Sequence, residues 1–184
     1  MILSGDTVLI ILPILATLLL SPPPFDDTVL TPLTPERVAI VGRTDSNIKE
    51  IFTVTDIGTI EVRYGKGGYI SFMESSIDYL KANPHKKVVV NGNCYSACTM
   101  LLSKDLDNVC FTRNAKFYFH SAYIVTENGD GTKQKAPDGN LAMMKQFSEP
   151  LKEYLVSHNA LDSVDAFFEI DHDAMRTLTN KSCS

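Results

Sequence analysis

The residue whose position most suggests chemistry is Ser96, which follows a buried strand and a tight turn. The apolar run 88–90 predicts the strand, the polar residues 91–93 predict the turn, and a short apolar helix is predicted over 96–103. A serine that begins a helix lies beside free backbone N–H groups, above all that of Ala97, which can stabilise an oxyanion. The same position is a preferred N-cap, so the alternative is a serine that only closes the helix.

A candidate base for this serine is His120, at the end of the alternating strand 116–120. Its side chain is predicted on the face opposite Phe117 and Phe119. A serine hydroxyl is a weak nucleophile until a neighbouring base takes its proton, and a neutral imidazole can do so near pH 7. The sequence therefore pairs His120 with Ser96, and the alternative is a histidine hydrogen-bonded at the edge of the sheet.

A third element is the Gly67-Gly68 turn, which follows the predicted strand 59–64. In a parallel sheet this turn and Ser96 would lie at the carboxyl ends of adjacent strands, where binding sites form. Glycine allows a backbone N–H to face developing negative charge. The alternative is a simple turn at the end of a strand.

Strands and helices alternate along the chain with short connections, which favours βαβ units. Strands are predicted over 38–41, 59–64, 87–90, 109–111 and 116–120. Helices are predicted from residue 70 to before Pro84, with an apolar stripe of Ile70, Met73, Ile77 and Leu80, over 96–103, over 141–158 (split or kinked at Pro150) and within 161–178. Residues 126–139 are polar and predict a loop. The pattern predicts an α/β fold with a mostly parallel sheet and surrounding helices.

The composition limits the classes of function. The chain has 184 residues, of which 44% are hydrophobic and 21% charged, with a net charge of -5. One globular domain of ordinary size is therefore expected. No cluster of Lys and Arg provides the positive charge that nucleic-acid binding needs, so nucleic acid is not an expected partner.

The N-terminus differs from the rest of the chain. Residues 7–20 are almost entirely apolar, shorter than the roughly 20 residues of a spanning helix but typical of a secretory signal. We predict an export signal or membrane anchor over 1–21, a proline-rich linker over 22–36 and one domain over 37–184. The alternatives for the apolar run are a terminal core helix and a wrongly assigned start codon.

The four cysteines are Cys94, Cys98, Cys110 and Cys183. An exported protein can form disulfides. We predict a Cys94–Cys110 pair, because these residues would flank one short helical excursion between neighbouring strands. The alternative is four free thiols, with Cys98 packed as a small apolar residue. A metal site is not expected, because no histidine lies at ligand spacing from the C-x3-C pair.

The glycine turn, Ser96 and His120 follow one another along the chain in an order that resembles a known family. A Gly-Gly turn, a helix, a V-V-V strand, a short turn, Ser96-Ala97 and a strand ending in F-x-F-His120 resemble the proteolytic subunit of the Clp protease and its crotonase-superfamily relatives. The segment 92–99, G-N-C-Y-S-A-C-T, is still more similar to the G-x-C-x-S-A-C-T motif of exported, uncharacterised bacterial members. The interval of 24 residues (120 − 96) is also similar to that of the family. The resemblance covers residues 37–125 best.

The resemblance implies roles for individual residues. Ser96 would be the nucleophile, His120 the general base, and the N–H groups of Gly68 and Ala97 the oxyanion hole. The chain departs from the family at Lys66, where a proline usually precedes the glycine pair. This departure puts the oxyanion turn in question.

The resemblance also implies an aspartate after the histidine as the third member of a triad. Asp173 is the first choice and Asp171 the second, and either would hold the imidazole tautomer. The alternative for both is to cap the last helix.

The function implied by the resemblance is a serine hydrolase of peptidase type, acting on a peptide or small acyl substrate without a cofactor or metal. Homo-oligomers are common in the family. An exported protein, periplasmic or tethered through residues 7–20 to a membrane of a bacterial host, is expected. The alternatives are a binding or assembly module on the same fold, acyl-CoA chemistry of crotonase type, and a thiol-redox role for Cys94 and Cys98.

Overall fold

The structure is a computed structural model that describes residues 28–126 and 131–183. The apolar run 7–20, and with it the predicted signal or anchor, lies outside the described residues. The strands are β1 Val29–Thr34, β2 Arg37–Arg43, β3 Thr59–Gly67, β4 Lys87–Tyr95, β5 Val109–Phe111, β6 Lys116–Phe119, β7 Tyr123–Val125, β8 Lys133–Lys135 and β9 Phe168–Ile170. The helices are α1 Asp45–Val54, α2 Ile70–Ala82, the 3-10 helix Ser96–Leu102, α3 Pro137–Gln146, α4 Glu149–Ser157 and α5 His172–Thr179.

Seven strands form one sheet in the order β1-β2-β3-β4-β6-β9, with β5 also paired to β4. Strands β2 to β6 are parallel, while β1 and β9 run antiparallel to their neighbours at the two edges. The predicted α/β class with a mostly parallel sheet is thus confirmed.

The long strand β4 is divided between two neighbours. Its first half pairs with β5, where Val88 lies opposite Val109, and its second half pairs with β6, where Tyr95 lies opposite Tyr118. This division brings the end of β6, and therefore His120, to the same edge of the sheet as Ser96.

One face of the sheet is buried under helices because alternate residues of the central strands are apolar. The predicted apolar stripe of α2 packs here through Met73, Ile77 and Leu80, all buried. Fully buried strand residues on this face include Ile40, Ile60, Val62, Val88, Val90 and Cys94.

The structure differs from the sequence prediction at the start of the domain. Part of the predicted linker 22–36 forms β1, which pairs with β2 from Val29 opposite Val41 to Thr34 opposite Arg37. An edge strand tolerates proline because one row of its N–H groups needs no partner. Proline therefore does not exclude a strand here, and the domain includes residues before Arg37.

A second difference concerns the residues before Ser96. The predicted turn 91–93 continues β4 as far as Tyr95, and the helix that follows is a 3-10 helix. Strands β3 and β4 shift register between Val62 and Tyr64, which absorbs an extra residue as a β-bulge. The segment keeps its pairing through this bulge, so its turn-forming composition does not end the strand.

The predicted loop 126–139 also contains structure. Strands β7 and β8 form a small antiparallel hairpin with Tyr123 opposite Lys135, and α3 begins at Pro137. The predicted break at Pro150 is confirmed, because α3 ends at Gln146 and Pro150 lies in the first turn of α4.

The predicted Cys94–Cys110 disulfide is wrong. Cys94 bonds Cys98, with 5.3 Å between their Cα atoms, and Cys110 bonds Cys183, with 5.0 Å between theirs. Cys110 pairs with Val89 near the start of β4, whereas Cys94 lies five residues further along that strand. This offset keeps the two apart. Two disulfides are typical of a protein from an oxidising compartment.

Within the part of the chain that the structure describes, every helix is too short or too polar to span a bilayer.

Candidate active site

The geometry around Ser96 is unusual for a serine. Ser96 directly follows β4, begins the 3-10 helix and has φ of 55°. Few residues with a side chain adopt positive φ, and such strained positions occur often at functional sites. The strained turn directs the chain abruptly out of the sheet at the carboxyl end of a central strand.

The glycine turn at the end of β3 lies directly against this serine. A Cβ atom on Gly67 would lie 2.8 Å from the Ala97 amide nitrogen and 3.0 Å from the Ser96 Cβ, at a φ of +82°. Only glycine allows this approach. The structure therefore brings together the Gly-Gly turn and Ser96-Ala97. It is Gly67 that contacts Ser96, whereas the donor role of the Gly68 N–H stays a prediction.

His120 lies at the same edge of the sheet, just after β6. The residue is 5% exposed, and Phe167 contacts the rings of both His120 and Tyr118. Phe167 links it to the serine strand, because the Phe167 ring centroid lies 4.9 Å from that of His120 and 5.3 Å from that of Tyr95. Tyr123 of the hairpin contacts His120 on another side.

The two candidate residues lie at the same edge of the sheet without being hydrogen-bonded. Among the described residues no hydrogen bond joins the Ser96 hydroxyl to the His120 imidazole, and His120 Nδ1 is buried without a partner. A buried polar atom without a partner is uncommon and costs free energy. In ligand-free enzymes catalytic hydrogen bonds are often long and tighten when substrate binds.

The environment of His120 favours its neutral form. Burial lowers the pKa of His120 below its usual value, and the charge of Lys133 acts in the same direction. The Ser121 backbone and the Asp165 carboxylate oppose this shift. Lys133 and Asp165 form an ion pair beside the histidine, with 2.8 Å between Nζ and Oδ1. A neutral imidazole is the form that can accept a proton.

Neither predicted acidic partner reaches His120. Strands β6 and β9 are antiparallel, with Phe117 opposite Ile170. Asp171 and Asp173 therefore lie beyond the end of β6 remote from His120, separated from it by about 13 Å of strand. Asp171 instead caps α5 by accepting from the Ala174 N–H at 3.0 Å. Asp173 is bonded to His172 (2.9 Å), so the implied His120–Asp173 pair is not formed.

A residue that the sequence analysis missed is Asp45, a fully buried carboxylate beneath the glycine turn. Its Oδ2 accepts from the Tyr69 N–H at 2.8 Å and from the Arg43 guanidinium at 2.6 Å. A Cβ atom on Gly68 would lie 2.2 Å from the same oxygen. Through the bond to Tyr69, this carboxylate holds the end of the glycine turn in place. A signal was available: an aspartate directly after β2, at the same sheet edge as the glycines.

We expect Asp45→Ala to reduce the free energy of unfolding by about 3 kcal/mol, since the variant removes the acceptor of the Tyr69 N–H and the buried carboxylate partner of Arg43. Asp45→Asn keeps an acceptor oxygen and should lose less. Urea unfolding monitored by circular dichroism measures both values. Exposed Asp78 on α2 provides the matched control. A loss for Asp45→Ala no larger than for Asp78→Ala would contradict this role.

The described residues contain no group of three or more His, Cys, Asp or Glu side chains arranged to hold a metal ion.

Several solved protein structures are similar to this chain in overall structure. No family model and no curated protein matches the chain. A probable enoyl-CoA hydratase/isomerase from Mycobacterium abscessus is 11% identical, with a TM-score of 0.46 over 83% of this chain and 66% of that one. The membrane-bound stomatin-specific protease 1510-N, as a mutant, is 10% identical, with a TM-score of 0.49 over 77% and 74%.

An enoyl-CoA hydratase/carnithine racemase from Magnetospirillum magneticum is 15% identical, with a TM-score of 0.46 over 84% of this chain and 66% of that one. The chain spans just under two thirds of the length of the two hydratase-type proteins. Because these identities and TM-scores are low, we assign the fold class from the sheet topology and base the function on the residues of the site.

Proposed function

We propose that this chain is a serine hydrolase of an oxidising, extracytoplasmic compartment, with Ser96 as nucleophile and His120 as general base. The observation that carries the proposal is the positive φ of Ser96 at the end of β4, against the Gly67 turn and beside the end of β6. The two disulfides support the oxidising compartment.

In the proposed reaction, the Ser96 Oγ attacks the carbonyl carbon of an ester or amide while His120 accepts the hydroxyl proton. Backbone N–H groups of Ala97 and the glycine turn stabilise the oxyanion. The leaving group departs with the proton from His120, and water then hydrolyses the acyl-serine. The substrate class is a peptide or a small acyl compound, and no cofactor takes part.

The test is covalent labelling of the full chain with a fluorophosphonate, followed by digestion and mass spectrometry to locate the adduct. The proposal expects an adduct on the peptide that contains Ser96, and none on that peptide in Ser96→Ala. Ser121, which is fully buried, provides a matched control because Ser121→Ala should leave the adduct on Ser96. An unlabelled Ser96 peptide in the folded wild type would contradict the proposal.

A second candidate function is a binding or assembly module on the same fold. The unpartnered Nδ1 of His120 favours it, because none of the predicted carboxylates lies there to fix the imidazole tautomer. This alternative predicts no adduct on Ser96 in the labelling experiment, with the fold intact.

The pH dependence follows from the lowered pKa of His120. A base must be neutral to act, so labelling of Ser96 should fall as the pH drops through that pKa, with a midpoint below the usual 6.5. Phe167→Ala removes a ring that covers the imidazole, so it should move the midpoint up towards 6.5. Labelling rates between about pH 4 and 8 measure both midpoints.

Phe72→Ala is the control for this series, because Phe72 is an exposed ring on α2. An acid limb at or above 6.5 in the wild type, or equal midpoints for Phe167→Ala and Phe72→Ala, would contradict the assignment of His120.

A further inference from the structure

A serine, a histidine and an aspartate form a continuous hydrogen-bonded chain at the C-terminal end of the domain, away from Ser96. The Ser182 Oγ lies 3.2 Å from His172 Nε2, and His172 Nδ1 lies 2.9 Å from an Asp173 carboxylate oxygen. This is the order of contacts that activates a serine: nucleophile to base, and base to a carboxylate that fixes its tautomer.

Secondary structure and a disulfide hold this chain of contacts in place. His172 is the first residue of α5, and its ring packs edge-on against Phe111 of β5, with 5.6 Å between centroids. Ser182 forms an isolated bridge with the same Phe111. The Cys110–Cys183 disulfide fastens the segment one residue further on. The serine is therefore fixed to the strand against which the histidine packs.

Ser182, unlike His172 and Asp173, also lies on the wall of a cavity. Ser182 lines a cavity of about 410 Å³ together with Lys181, Asn180, Ser148, Leu106 and Lys104. The volume is enough for a small acyl ester and lies within the range of small-molecule sites. The bridge to Phe111 uses the Lys181 carbonyl and the Cys183 N–H. Besides His172, the Ser182 hydroxyl contacts the Cys183 carbonyl oxygen, to which it donates at 3.5 Å.

We infer that Ser182, His172 and Asp173 form a second hydrolytic site, independent of Ser96, which takes small carboxylic esters in the adjoining cavity. The Ser182 Oγ attacks the acyl carbon while His172 Nε2 accepts its proton. The alkoxide or phenolate leaves with that proton, and a water molecule activated by His172 then releases the carboxylic acid and restores the serine.

The charges at the site fit this assignment. The hydrogen bond from His172 lowers the pKa of Asp173, and the exposure of this carboxylate to water also favours its ionised form. Lys181 lies on the cavity wall, and its ammonium donates to the Leu106 carbonyl oxygen. Burial lowers the pKa of Lys181, although Asp107 and Asp105 oppose this shift. Because Asp173 is solvated, its orienting effect should be smaller than that of a buried triad aspartate.

The experiment measures hydrolysis of p-nitrophenyl acetate by the full chain in a Ser96→Ala background, which removes the proposed first site. We expect Ser182→Ala or His172→Gln to reduce the remaining rate by about 100-fold, and Asp173→Asn by about tenfold. A fluorophosphonate adduct should map to the Ser182 peptide and disappear in His172→Gln.

Ser157 provides a matched control, because its hydroxyl also contacts a histidine, with 3.0 Å to His158 Nδ1 at the surface of α4. The same nitrogen contacts the Tyr154 carbonyl oxygen, so no carboxylate orients this imidazole. Ser157→Ala should leave the rate unchanged. Equal rates with and without Ser182, and no adduct on its peptide, would overturn the second site. Because adducts on Ser96 and Ser182 are scored on different peptides, either proposal can fail alone.

Discussion

The His120→Gln variant is expected to form the fluorophosphonate adduct on Ser96 about 10³-fold more slowly than the wild type. Glutamine fills similar space and can donate a hydrogen bond, but it cannot accept the serine proton as a base of suitable pKa. The rate is measured as the time-dependent fraction of modified Ser96 peptide. This measure does not include any reaction at Ser182.

His85→Gln serves as the control, because His85 is exposed in the loop between α2 and β4. The control should react at the wild-type rate. If His120→Gln and His85→Gln reacted equally fast, His120 would not be the base, and the proposed mechanism would fail even if Ser96 were still modified.

Gly92→Ala is expected to reduce the free energy of unfolding by about 3 kcal/mol, the upper end of the cost of overpacking. A Cβ atom on Gly92 would lie 2.0 Å from the carbonyl oxygen of Arg63 in the adjacent strand. That oxygen belongs to the backbone and cannot rotate away, so β3 and β4 would have to separate at the bulge before Ser96. Denaturant unfolding gives the free energy.

The matched control is Gly58→Ala, where the new Cβ would meet only the Glu36 carbonyl oxygen at an ordinary 3.8 Å. We expect Gly58→Ala to change the stability little. Labelling of Ser96 should also slow in Gly92→Ala, because the bulge sets the direction in which β4 leaves the sheet. Equal stability of the two variants would show that the strands accommodate the methyl group.

The sequence predicted the fold where hydrophobic periodicity is strong. The predicted stripe of Met73, Ile77 and Leu80 is buried, and the apolar run 88–90 forms part of β4, because burial of one face decides both elements. The predictions failed where pairing overrides local composition. Asn91 and Gly92 have turn-forming side chains, yet the bulge between β3 and β4 keeps them in a strand.

The candidate site was predictable only in part. Ser96, Ala97 and the glycine turn come together because each follows a parallel strand, and strand order alone implies this. The position of Asp173 was not predictable from the spacing of residues. It depends on β9 running antiparallel to β6, which carries Asp173 away from His120, and the carboxylate bonds the adjacent His172 instead.

The disulfides illustrate the same limit. The pairing of Cys94 with Cys98 depends on the tight 3-10 helix that follows Ser96, and the pairing of Cys110 with Cys183 depends on the return of the chain end to β5. The return of the chain end to β5 has no local signature in the sequence. The second disulfide also holds Ser182 in reach of His172, so it contributes directly to the inferred second site.

The most direct test of the central claim is a crystal structure of the full chain after reaction with a fluorophosphonate. Our account expects phosphorus bonded to the Ser96 Oγ, its oxygen at the Ala97 N–H and the Gly67-Gly68 turn, and a His120 ring nitrogen within hydrogen-bond reach. An unmodified Ser96, or a modified one with the His120 ring turned away behind Phe167, would contradict it.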